Sequence, residues 1–209
     1  MIRTTIPVLA FAAALLAPLG SSWAQSAPPN FSQSTYKTGI SSITGMAWAK
    51  DGADDLLFCS QKTGELRVIK NGALQAGNVA TIAVTTNNEA GLDNVIVDPS
   101  YATNKFVYVF ACVNISSGQY RHRVFRFTIS NGASVGISAG PLQRGPDTPC
   151  MNVNHNGSGM AIGADGYLYI GTGNLGNGNN VGGDGTGTEW TSLGSKIIRI
   201  DRFTGEPVA

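Results

Sequence analysis

Charge is scarce in this chain. Only 13% of its 209 residues are Asp, Glu, Lys or Arg, and the formal net charge is +1. So thin and balanced a distribution leaves no basic stripe to track phosphates, which argues against nucleic acid as a partner. Histidine is scarcer still, with two residues, and the three cysteines (Cys59, Cys112, Cys150) form neither a C-x-x-C nor a Cys/His metal pattern. Spacing alone does not choose between one disulfide with a thiol left over and buried free thiols. A G-x-S-x-G nucleophile elbow and an H-E-x-x-H zinc site are both missing, and no stretch has helical periodicity.

Long apolar runs are confined to the start. Met1-Ile2-Arg3 gives a positive beginning, residues 6–19 are apolar with Pro7 and Pro18 inside, and Ser22-Trp23-Ala24 closes the run. This is the pattern of a secretory signal peptide over residues 1–24, cleaved before Gln25, and it predicts a secreted or periplasmic protein. No later segment could span a bilayer as a helix. Residues 25–40 read as an N-terminal arm that is rich in Ser, Pro and Gln at its start.

Glycine is abundant, with 27 residues, and suits tight turns between short strands. A unit repeats: a short apolar strand, an Asp-Gly or Asp-Pro turn, a second strand and a third that ends near an Asn-Gly or Thr-Gly pair. The turn aspartates Asp51, Asp98 and Asp165 lie 47 and 67 residues apart. A repeat near that length built from short strands predicts an all-β chain of β-propeller blades, about three of them over residues 41–209. Three blades do not close a ring, so the chain reads as the N-terminal part of a longer protein or a truncated reading frame.

One histidine stands out within the third unit. Asn154-His155-Asn156-Gly157 immediately precedes the strand and Asp165-Gly166 turn of that blade, where a loop imidazole at the mouth of a β-scaffold can serve as an acid or base. Gly171-Thr172-Gly173-Asn174-Leu175-Gly176 spells G-x-G-x-x-G, but no helix or βαβ unit follows, so the dinucleotide reading fails. Gly182 to Gly187 reads as a surface loop. Glu89, Asp93 and Asp98 cluster in sequence on a strand and turn.

Three ordered blocks resemble a known family. They are Glu89-Ala90-Gly91-Leu92 continuing to Val109, His155-Asn156-Gly157 continuing to Tyr169, and Ser192-Leu193-Gly194-Ser195-Lys196 continuing to Asp201. They are similar to blocks of the soluble glucose/sorbosone dehydrogenases, the quinoprotein aldose sugar dehydrogenases. The resemblance implies a six-bladed propeller, pyrroloquinoline quinone (PQQ) with calcium, and a small-molecule sugar oxidised at its anomeric carbon, with electrons passed to an external acceptor. It implies His155 as the general base and Glu89, Asn154 and Asn174 as cofactor-binding residues, with the main cofactor and calcium ligands beyond Ala209 and no metal ligand in this chain. Two positions depart from the family pattern, which carries Gln at Glu89 and Asp at Asn174. The rival expectation is a non-catalytic secreted propeller that binds a glycan or a protein.

Overall fold

The computed structural model describes residues 28–116, 118–130, 133–137, 148–149, 153–174 and 193–208. The chain divides into two units, residues 1–35 and 36–209. In the first, residues 28–35 are non-regular, with a turn closed by Phe31 N–H donating to the Pro28 carbonyl. The expected signal peptide, residues 1–24, lies outside the described residues. All that follows concerns the second unit.

Three antiparallel sheets follow one another along the chain. The first contains β1 (Ile43–Asp51), β2 (Asp54–Gln61), β3 (Glu65–Lys70), β4 (Ala73–Leu74) and β5 (Ala80–Thr81). The second contains β6 (Leu92–Val97), β7 (Phe106–Ser116), β8 (Gln119–Ser130), β9 (Ala133–Ile137) and β10 (Thr148–Pro149). The third contains β11 (Gly157–Ile162), β12 (Leu168–Thr172) and β13 (Ile197–Ile200). Three successive antiparallel sheets of short strands are what the repeated unit predicts, so the all-β blade reading holds. One helical turn, α1 (Tyr101–Asn104), interrupts it between β6 and β7, and it closes on Lys105 in the left-handed region.

The central strand β7 explains how the sheets stack. Its residues Val107 to Val113 are all buried, an unbroken apolar run rather than the in–out alternation of a half-exposed strand. Because side chains alternate across a strand, Val107, Val109, Ala111 and Val113 face one way and Tyr108 and Phe110 the other. The first set packs with Phe58, Leu66 and Val68 of the first sheet. The second packs with Leu168, Ile170 and Ile200 of the third. Each fully buried Val, Leu or Phe contributes about 1.5–3 kcal/mol, so β7 binds three blades through two cores. On the first blade's other face, Leu57, Cys59 and Ile69 gather with Ile40 and Leu74, while Tyr36 meets Trp48 edge-on. Cys59 is a free buried thiol whose ionisation burial disfavours, and Cys112 is buried as well. Cys150 lies outside the described residues.

Two of the three repeated turn aspartates clip one blade to the next. Asp51 of the first blade bonds Lys105 Nζ of the second at 2.6 Å. Asp98 of the second is 1% exposed, and its donors include Ser100 N–H at 2.8 Å, Tyr108 O–H at 2.9 Å and Arg202 Nε at 3.0 Å. Arg202, which follows β13, also donates to the Gly166 carbonyl, so one guanidinium ties the third blade to the second. Asp165 stays within its own blade, accepting from Tyr169 O–H at 2.6 Å.

Burial pushes the Asp98 carboxyl up, but the hydrogen bonds from Ser100, Asn104 and Tyr108 and the charge of Arg202 outweigh it and hold the group below the usual carboxylate range. A carboxyl depressed on folding adds stability above its unfolded value, and that stability is lost as pH falls through the folded value. Thermal melts from neutral to acid pH test this. The wild type loses stability progressively below about pH 4, and Asp98→Asn is weaker by about 3 kcal/mol at neutral pH with a flatter acid limb. Equal pH slopes in both proteins would refute the assignment.

Candidate active site

The site sits where the inner strands of all three blades begin. β1, β6 and β11 approach closely there: Thr44 Oγ1 donates to the Leu92 carbonyl at 2.5 Å, and Asn94 Nδ2 to the Ser158 carbonyl at 2.7 Å. A Cβ on Gly45 would stand 2.8 Å from Asn94 Oδ1, so β1 reaches β6 only because that residue has no side chain. A cavity of about 280 Å³ opens at this end, lined by Thr44, Glu89, Asp93, His155, Asn156, Gly157 and Ser158.

The segment entering β11 is bent hard. Val153, His155, Gly157 and Ser158 all have positive φ, at 52°, 53°, 83° and 93°. For a β-branched residue such as Val153 this is a genuine outlier, and each such residue costs on the order of 1–3 kcal/mol. The bend is held against the end of β12, where Gly173 N–H donates to the Asn156 carbonyl at 3.1 Å. A Cβ on Gly173 would overlap the His155 carbonyl, and one on Gly157 would lie 2.5 Å from Gly173 N. Two glycines therefore let the chain cross itself beside the histidine.

His155 is exposed and held at two points. Its backbone N–H donates to Glu89 Oε2 at 2.6 Å, and its ring Nδ1 lies 2.8 Å from Asn174 Oδ1. An amide oxygen only accepts, so Nδ1 carries a proton in this bond, and in a neutral ring Nε2 is the nitrogen with the lone pair. Glu89 is anchored in turn, its own N–H donating to the Val153 carbonyl at 3.1 Å. Three residues singled out from the sequence, Glu89, His155 and Asn174, thus meet in one hydrogen-bonded group. Asn154 is half-buried beside His155 and is not among the residues lining the cavity.

A buried layer lies beneath. Asn156 is 4% exposed, and its Nδ2 donates to the Val153 carbonyl at 3.3 Å. Its Oδ1 lies 2.9 Å from Nε2 of His122, which is 1% exposed and packs against the Phe110 ring at 5.0 Å. Sequence reasoning missed both residues. No sequence signal marks His122: it shares strand parity with buried Val124 but also with Arg126, and the arginines beside it share parity with buried Phe127.

The sequence cluster of Glu89, Asp93 and Asp98 divides. Glu89 and Asp93 line the cavity, whereas Asp98 serves the clip at the other end of β6. Gly171 to Asn174 are the end of β12 and its exit, and the remainder of the glycine-rich tract lies outside the described residues. Among the described residues, no group of three or more His, Cys, Asp or Glu could hold a metal.

This arrangement has known relatives. The glucose/sorbosone dehydrogenase family matches residues 41–209. The chain belongs to that family. Similar solved structures include an oxidoreductase (glucose dehydrogenase) of Thermus thermophilus, at 25% identity and TM-score 0.65 over 83% of this chain and 48% of that one. The PQQ-bound aldose sugar dehydrogenase of Streptomyces coelicolor matches at 26% identity and TM-score 0.64, over 84% of this chain and 48% of that one. The apo soluble aldose sugar dehydrogenase of Escherichia coli shares the fold at 20% identity and TM-score 0.56, over 78% of this chain and 45% of that one. The chain thus spans about half the length of these dehydrogenases, and its three sheets correspond to part of their propeller.

The crossing makes a sharp prediction. Gly173→Ala forces backbone against backbone and lowers unfolding stability by about 3 kcal/mol, whereas alanine at Gly159, which has open space around its Cβ position, costs under about 1 kcal/mol. Denaturant melts of the two variants check this, and equal stabilities would contradict the described crossing.

Proposed function

We propose that the protein containing this chain is an exported PQQ-dependent dehydrogenase that oxidises the anomeric hydroxyl of an aldose and passes the electrons to an external acceptor. The observation that carries the proposal is the His155 imidazole, tied at Nδ1 and bare at Nε2, on the wall of an open cavity in a member of this family. A neutral imidazole with its free nitrogen toward substrate is what removal of a hydroxyl proton requires. The residues fit such a reaction as one wall of a larger site. His155 Nε2 takes the C1 hydroxyl proton, Asn174 Oδ1 keeps the ring in the required tautomer, and Glu89 holds the backbone that carries it.

When bound, PQQ supplies the two-electron acceptor for the hydride leaving C1. Glu89 and Asn154 are the residues of this chain proposed to border it, with Asn174 acting beside them through the base. A carboxylate next to an anionic cofactor is costly unless paired, and Glu89 meets this requirement in part through the His155 N–H. Calcium is proposed with the cofactor, and no residue of this chain is assigned as its ligand. Export rests on the apolar leader over residues 1–24. No helix among the described residues is long and apolar enough to cross a membrane.

Asn174 marks where this site differs from one with an aspartate. An amide orients the ring as a carboxylate does but leaves the imidazolium formed during turnover without a counter-charge. The expected result is therefore asymmetric. In the full protein loaded with PQQ and calcium, His155→Ala abolishes sugar-dependent dye reduction while cofactor uptake persists, and Asn174→Asp raises kcat by about tenfold or more. Glu89→Gln keeps the acceptor for His155 N–H and tightens cofactor binding. Full activity in His155→Ala would rule out His155 as the base, and no cofactor uptake by the wild type would favour the glycan- or protein-binding propeller instead.

A further inference from the structure

We infer that His122, buried between two blades and outside the cavity, is the positioning residue that sets the tautomer of the His155 base; this rests on the reading of His155 above. Packing does not account for a histidine there. His122 Nδ1 is buried with no hydrogen-bond partner among the described residues, a cost that an apolar ring would avoid. Phenylalanine would fill the same space against Phe110. What the imidazole adds is its other nitrogen: with Asn156 Oδ1 as acceptor at 2.9 Å, His122 Nε2 must carry the proton.

Two routes run from that donor to the base. The bond fixes the Asn156 amide, whose Nδ2 donates to the Val153 carbonyl, the same oxygen that accepts Glu89 N–H. Glu89 Oε2 then receives His155 N–H. By the second route, the Asn156 carbonyl accepts Gly173 N–H, and the next residue, Asn174, accepts from His155 Nδ1. Loss of the His122 donor removes one of the bonds that fix the Asn156 amide, and so loosens the crossing beside His155. The two histidines are thereby held in opposite tautomers, His122 with its proton on Nε2 and His155 with its proton on Nδ1. Such buried supporting bonds orient a reactive ring without touching what it acts on.

Two-bond nitrogen–proton spectra of full-length protein labelled with nitrogen-15 histidine, recorded without cofactor or sugar, read the tautomers directly. The wild type is expected to show a solvent-protected Nε2–H at His122 and a predominantly Nδ1–H ring at His155. In His122→Phe the Nδ1–H preference at His155 collapses to the mixture of a free imidazole. In His122→Gln, whose amide N–H replaces the donor, it is retained. Persistence of the preference in folded His122→Phe overturns the inference. So does an unprotected or Nδ1–H His122 in the wild type, a result that needs no variant to fold. Failure of the reading of His155 as the base shows separately, as sugar-dependent activity that survives His155→Ala while the wild-type spectra are as expected.

Discussion

The crossing of Asn156-Gly157 over Gly173-Asn174 is the constraint on which this site depends. A strained four-residue approach to β11 brings one imidazole out of the fold, and the end of β12 brings an amide oxygen to meet it. The strain is held by bonds on every side: Gly173 N–H to the Asn156 carbonyl, Glu89 to the His155 N–H, and the Asn156 amide locked to Val153. A loop free of such bonds would relax toward ordinary φ values and turn the ring away. Positive φ at Val153 and His155 is thus part of how the imidazole is presented.

That crossing stands on the blade packing. β7 is buried on both faces, so the sheets cannot slide past one another without opening two apolar cores. Buried His122, on the neighbouring β8, carries the register of the second blade to the loop of the third. The aspartate clips lock the opposite ends of the same strands, Asp51 to Lys105 and Asp98 to Arg202. The site therefore inherits its rigidity from elements distant in sequence.

Much of this was legible in the residues. Three units of short strands, each punctuated by a turn aspartate, read directly as blades because period-2 patterning and turn chemistry are local. His155 stood out because its neighbours Asn and Gly are poor strand formers set just before a strand. The roles of the repeated aspartates were not legible: a turn starter and an interblade clip look alike until Lys105 and Arg202 arrive from the next unit. His122 was invisible for the same reason, since its partner lies 34 residues away and across a blade boundary. The one helical turn at Tyr101–Asn104 was missed because four residues carry no periodicity. Glu89, where the family pattern carries Gln, accepts a hydrogen bond from the His155 backbone N–H, a partner 66 residues away that no local pattern announces.

The central claim is that this crossing presents a base for proton removal from the C1 hydroxyl of a sugar as hydride leaves the same carbon. Rapid mixing of the PQQ-loaded full-length protein with an aldose, protiated or deuterated at C1, tests it most directly. The account predicts that the cofactor is reduced by the sugar and that deuterium at C1 slows the reduction severalfold. Absence of any reduction by aldoses, with the cofactor bound, would contradict it.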